Sequence, residues 1–169
     1  MSITSKTKYI LITILLSFVV LIPLVFYLAL RNKSKDVSEK SPYVAVLNRE
    51  IVTINEAIYI DNSTLTLTTE YPNELQDFES IDTSRVKYTN IPKGSVLQFY
   101  KAVQVNRAVS GNQYVFLLGE VILKDTNIKT PIIYHWGTFK TICIDKPCNY
   151  WEHKKAPWQS EIDTKKYFD

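Results

Sequence analysis

The residues of this sequence whose types could do chemistry are few: His135, Cys143, Cys148 and His153, with Asp145 between the cysteines. Cys143-Ile-Asp-Lys-Pro-Cys148 puts four residues, one of them a proline, between two thiols, and such a loop can fold back to disulfide geometry. Outside the cytoplasm the pair is expected to oxidise. A ring this short removes little chain entropy, about 2 kcal/mol or less of stabilisation. The competing reading is a zinc site with Cys143, Cys148 and His153 at C-x4-C-x4-H spacing and His135 as a fourth ligand. Zinc takes tetrahedral Cys and His sets, but the spacing fits loosely and an exported domain disfavours free thiolates. A redox dithiol would show C-x-x-C near a helix start, which is absent. The reading is therefore a disulfide between Cys143 and Cys148, with no metal and no cofactor.

Acid–base catalysis has two imidazoles to draw on, His135 and His153. His135 lies between Tyr134 and Trp136 in a strand-like pattern, where a histidine is more often a packed strand residue than a base. No serine stands in a Gly-x-Ser-x-Gly setting, and the glycines at 94, 111, 119 and 137 are too scattered to cradle a phosphate. One enzymatic alternative stays open: a membrane-anchored enzyme using His135 with Asp145 or Cys143. Glu70, Glu74, Asp77, Glu79 and Asp82 form an acidic run without the alternating ligands and glycine of a calcium loop, and read as a solvated loop. Asn32-Lys-Ser34 and Asn62-Ser-Thr64 match the glycosylation sequon at a frequency chance explains. Residues 149–169 hold Tyr150, Trp151, Trp158, Tyr167 and Phe168 among charges, too aromatic for a plain disordered tail. Either this tail packs on the core, the favoured reading, or Trp151, Trp158, Tyr167 and Phe168 face a partner as anchors.

The elements that must position these residues read as strands. Thr64–Thr68 alternates with period two. Residues 51–60 put Val52, Ile54, Ile58 and Ile60 on one face. Residues 95–105 put Leu97, Phe99, Val103 and Val105 on one face, and Lys101 interrupts that set, which predicts a bulge or a strand end there. Residues 113–123 are apolar on both faces, so that strand should run through the middle of the fold or be covered by another segment. Thr130–Trp136 and Thr138–Ile142 are two further strands, with Gly137 as a turn or bulge between them. Turn residues punctuate the series at Asp61–Ser63, Ile91–Ser95 and Ser110–Asn112. Leu75, Phe78 and Ile81 at spacing three predict at most one short helical turn within Tyr71–Asp82. Ile91-Pro-Lys-Gly-Ser-Val-Leu-Gln-Phe99 resembles the turn into a strand of bacterial SH3-like domains over those residues, and it brings no functional residue with it. The expected fold is all-β, a small barrel-like or sandwich domain.

Ahead of these strands, Tyr9–Leu30 carries no charge. At 1.5 Å per residue it reaches roughly 33 Å, enough for a hydrocarbon core of about 30 Å. A cleaved signal peptide would have a shorter apolar run and a small-x-small site, and Tyr27-Leu-Ala29 is a poor one. The expectation is an eight-residue tail (1–8), one transmembrane helix (9–30) in the lipid bilayer, a polar tether (31–42) and a single β domain (43–169). Flanking charge hardly decides orientation. The short tail and the cysteine pair place the domain on the extracytoplasmic side. The net charge of +3 belongs to the membrane flanks: residues 1–40 hold six Lys and Arg against two Asp and Glu, leaving 14 against 15 beyond. The domain thus lacks the basic footprint of a nucleic-acid binder. Together these features predict a non-enzymatic, membrane-anchored module that binds a protein partner, as an accessory subunit or an anchored inhibitor.

Overall fold

Residues beyond position 30 are rich in β-branched and aromatic side chains, and those described form nine strands of one mixed sheet. The computed structural model describes residues 5–61, 73–77, 87–143 and 146–168, with side chains described for all of these except 5–13, 15, 61, 77 and 142–147. In chain order the elements are α1 (Ser5–Ala29), β1 (Lys33–Asp36), a 3-10 turn (Tyr43–Ala45), β2 (Glu50–Val52), β3 (Ala57–Asp61), β4 (Asn73–Asp77), β5 (Tyr88–Ile91), β6 (Val96–Asn106), β7 (Gln113–Ile122), β8 (Lys129–Cys143) and β9 (Lys146–His153).

The sheet runs β1-β6-β7-β8-β4-β3-β5, with β2 beside β1 on the same edge of β6 and β9 on β8. All pairings are antiparallel except β4 with β8, which is parallel. The all-β expectation holds. Among the described residues the sheet is mixed and its path ends at β1 and β5 without closing, so it is not a closed barrel.

β7 lies at the centre, between β6 and β8, as its two apolar faces require. Val115, Leu117 and Val121 join the main core with Leu97, Phe99, Ile132, Tyr134 and Trp136. Phe116 and Leu118 on the opposite face join a second cluster with Val105 and Ile133. The interruption foreseen at Lys101 is a bulge: Phe99 pairs Gly119 while Lys101 already pairs Leu118, so Tyr100 is the extra residue. A bulge exchanges the faces of a strand. Leu97, Phe99 and Ala102 therefore share the main core while Val105 turns to the second cluster, and the single face expected for Leu97, Phe99, Val103 and Val105 is corrected.

Three other expectations change. Residues 51–60 are two strands, since Thr53 and Ile54 leave the sheet to bond Ser95 and Pro157; Ile58 is buried and Val52 exposed. Residues 73–77 form β4, not a helical turn, and Leu75 is fully buried between β3 and β8, where sheet pairing outweighs a weak spacing signal; Phe78 and Ile81 lie outside the described residues. The segment read as a tether contains β1, and Val37 after it is buried. Thr64–Thr68 lies outside the described residues.

α1 is a single 25-residue helix. Among the described residues no helix is long and apolar enough to cross a membrane, so the spanning helix expected over 9–30 is not borne out there.

Candidate functional site

The site grows from a second bulge, in β8. Val115 pairs Gly137 and Phe116 pairs His135, so Trp136 is the extra residue. Positions three apart on a regular strand face opposite ways. The bulge instead turns His135 and Thr138 to the same face, and His135 Nε2 lies 3.2 Å from Thr138 Oγ1. Tyr114 and Phe116 of β7 flank the imidazole with ring centroids at 5.0 and 5.2 Å, Tyr114 edge-on. His135 separates two clefts. One, of about 220 Å³, is lined by Glu74, Arg107, Tyr114, Phe116 and His135. The other, of about 210 Å³, is lined by His135, Trp136, Thr138, Glu152, His153, Lys154 and Ile162.

Electrostatics leave His135 neutral. Burial pushes its pKa down to about 4, and the positive charges of Lys154 and Arg107 push the same way, against a hydrogen bond with the Gly137 backbone. Thr138 is within proton-transfer reach, but a base with so low a pKa activates a hydroxyl poorly at neutral pH.

Across the sheet, the same bulge lets His153 into the core. Gly137 pairs His153 in the β8–β9 register. A Cβ on Gly137 would lie 3.2 Å from both His153 Nε2 and Tyr43 Oη, so the missing side chain makes room for that pair. His153 is 1% exposed, and its Nε2 sits 3.2 Å from Tyr43 Oη. Its ring is enclosed by Tyr43, Trp136 and Tyr167. Nδ1 has no hydrogen-bond partner among the described residues. Burial pushes this pKa also to about 4, with Asp163 pulling the other way.

The aromatic tail divides between core and surface. Trp151 is buried against Phe139, on the inward face of β9. Trp158 is half-buried among Phe99, Tyr134 and Trp136, at centroid distances of 5.3 to 5.6 Å. Tyr167 forms a β-bridge with Trp151, and its hydroxyl donates to Asp163 Oδ2 at 2.8 Å. Burial and this carboxylate raise the Tyr167 pKa to about 12. Phe168 is 71% exposed and Ile162 is 55% exposed.

Other singled-out residues do not gather. No group of three or more metal-ligating side chains occurs among the described residues. His135 and His153 both line the second cleft, but the His135 ring packs beside Tyr114 and Phe116 and the His153 ring beside Tyr43 and Trp136. Cys148 is buried and is not a free thiol, while the Cys143 side chain and all of Asp145 lie outside the described residues. Of the acidic run, Glu74 lines the first cleft and Asp77 ends β4; Glu70, Glu79 and Asp82 lie outside the described residues, as does Asn62. Asn32 Oδ1 accepts a hydrogen bond from the Ala108 amide. Arg107, Tyr114 and Phe116 carry no spacing signal that marks them as site residues, because only the pairing of β7 with β8 brings them to His135, and Tyr43 and Asp163 likewise carry none. No known protein family, curated protein or solved structure matches the chain.

Proposed function

We propose that the chain is a non-enzymatic module that binds a protein partner, anchored in a membrane by α1 with its β domain on the extracytoplasmic side. The observation that carries the binding reading is the C-terminal strap. Trp158 and Tyr167 pin it to the core, and this leaves Ile162 and Phe168 projecting from backbone that is already ordered. A pre-ordered apolar projection loses little entropy on binding, which is what an interface anchor needs. An accessory subunit and an anchored inhibitor would both use such a surface.

Anchoring is supported by the uncharged run of residues 9–30 and by α1 covering nearly all of it as one helix. From Ile14 onward, every apolar side chain described on α1 is about half exposed or more, so none of its faces packs on the sheet. A helix apolar all round is suited to lipid. The extracytoplasmic side is supported by the cysteines: Cys148 is not a free thiol, and we propose Cys143, the one other cysteine of the chain, as its disulfide partner.

The test is site-specific photocrosslinking in cells that make the chain naturally. A crosslinking amino acid at Ile162 or Phe168 is expected to give a discrete protein adduct, and one at exposed Ile128 is not. No adduct from either strap position, or the same adducts from all three, would sink the reading. His135→Ala should leave the adducts intact; loss of function in a folded His135→Ala protein would favour the enzymatic alternative.

A further inference from the structure

Since β1 begins at Lys33, only Leu30, Arg31 and Asn32 separate it from the end of α1 at Ala29. Three residues span at most roughly 10 Å. The start of β1 is fastened to one end of the sheet, with Lys33 paired to Asn106, the last residue of β6. Asn32 Oδ1 accepts from the Ala108 amide at 3.2 Å, which ties the exit of α1 directly to the β6–β7 loop. That loop is closed by Arg107 N to Asn112 O and Gly111 N to Arg107 O, both 2.9 Å. Its tip, Val109, is 82% exposed, the most exposed large apolar side chain among the described residues. Arg31, Lys33, Lys35 and Arg107 are exposed on the segments that the Asn32 hydrogen bond and the β1–β6 ladder join to the loop, Arg107 with its guanidinium 5.4 Å from the centre of the Tyr114 ring. The acidic neighbours are Asp36, which pairs Lys101 at 3.4 Å, and Glu74, which shares a cleft with Arg107.

We propose that the β6–β7 loop is a membrane-contact element: Val109 enters the interfacial layer of the bilayer that holds α1, and Arg31, Lys33, Lys35 and Arg107 meet anionic lipid headgroups. This rests on the reading of α1 as a membrane anchor and deepens it. A lone exposed valine needs no explanation on most surfaces. Here it sits at the tip of a loop bonded to Asn32, three residues beyond the end of α1, on the end of the sheet where Arg31, Lys33 and Arg107 are exposed, and basic residues close to a bilayer are each attracted to anionic lipid. The consequence is a domain seated on the membrane in one orientation instead of swinging on a tether. The opposite end of β7 is then turned away from the surface, since ten residues of strand span about 34 Å.

The test uses the full chain in nanodiscs of phosphatidylcholine and phosphatidylglycerol, with an environment-sensitive fluorescent amino acid placed singly at Val20, Val109 or Ile128. Quenching by lipids that carry a nitroxide at the headgroup or deep in the acyl chain reads depth. Val20 should be quenched by the deep nitroxide and Val109 by the headgroup nitroxide, while Ile128, in the turn at the far end of β7, should be quenched by neither. Replacing phosphatidylglycerol with phosphatidylcholine should cut the Val109 quenching at least twofold. Quenching at Val20 with none at Val109, or equal quenching at Val109 and Ile128, overturns the loop contact and leaves the anchor standing. Val109 quenching that is indifferent to phosphatidylglycerol overturns the assignment to anionic headgroups. No quenching at Val20 overturns the anchor and this proposal with it.

Discussion

A single methyl group added at Gly119 would run into the Gln98 carbonyl and lie 2.7 Å from Phe99 Cα, backbone atoms that cannot swing aside as a side chain could. Gly119 pairs Phe99, the residue just before the Tyr100 bulge. Gly119→Ala is therefore expected to cost about 3 kcal/mol or more. It should appear as a lower denaturation midpoint at unchanged slope; a parental midpoint would show that the bulge relaxes. His153 makes a second residue-scale expectation. Its ordinary pKa of 6.5 is pushed down to about 4 by burial, so above pH 6.5 it is neutral folded or unfolded. As pH falls from 6.5 to 4, the unfolded chain takes up a proton that the folded one refuses, and roughly 3 kcal/mol of stability is lost. His135 acts in the same direction over the same window. Asp36 and Asp163, whose carboxyls hydrogen bonds hold below the usual range, add a loss only at still lower pH. His153→Phe should flatten the fall between pH 6.5 and 4 in thermal or urea melts, and an unchanged profile would place the titration elsewhere. Neither effect is legible in the sequence. Gly119 looks like any strand glycine until β6 crosses it, and His153 looks exposed among Glu152, Lys154 and Lys155 until the β8–β9 register turns it inward.

Among the elements, the two bulges matter most, and the sequence announces them unequally. Lys101 breaks an apolar alternation, so an irregularity near it is readable, but which residues change face after it is decided by the pairing with β7. Around Gly137 the residues suggest a turn as readily as a bulge. The long continuous β8 follows from having β7, β4 and β9 to pair with, partners remote in sequence. β1 is the element least visible beforehand, because Lys33-Ser-Lys-Asp36 has no apolar pattern at all. It is held by its ladder to β6, by buried Val37 and by the Ala102 amide donating to Ser38 Oγ at 3.0 Å. A fragment beginning at Asn32 is therefore expected to outlast one beginning at Glu39 by several degrees in melting temperature, as a loss of 1–2 kcal/mol would bring. Equal melting would mean that β1 adds nothing. Within β7, Leu117 is fully buried at the centre of the sheet, and Leu117→Ala should cost about 2–5 kcal/mol by equilibrium unfolding.

At the scale of the whole molecule, an open mixed sheet leaves edges at β1, β2, β5 and β9 among the described residues, the last met only by the Tyr167 bridge, and a natural protein shields such edges from chance pairing. The charges of β1 do this on one side. With the β6–β7 loop seated on the bilayer as proposed, the lipid surface shields that end of the sheet further. Removing α1 while keeping Asn32 onward is then expected to give a folded domain that stays in the supernatant when cell membranes are pelleted. A fragment that sediments with the membranes would show an attachment independent of α1. What the sequence determined by itself is what depends on local composition and period: an uncharged apolar run and a β domain with strand starts after Ile91–Ser95 and Ser110–Asn112. The two-sided apolar strand belongs here too, because burial on both faces forces a central position. What only the tertiary structure decided is what depends on register between distant strands. The sheet stays open, β4 enters parallel to β8, and His135 and Thr138 share a face with Arg107 and Tyr114 while Trp151 and His153 turn into the core. A one-residue shift in pairing reverses every one of those side chains, and no local pattern in the chain encodes it.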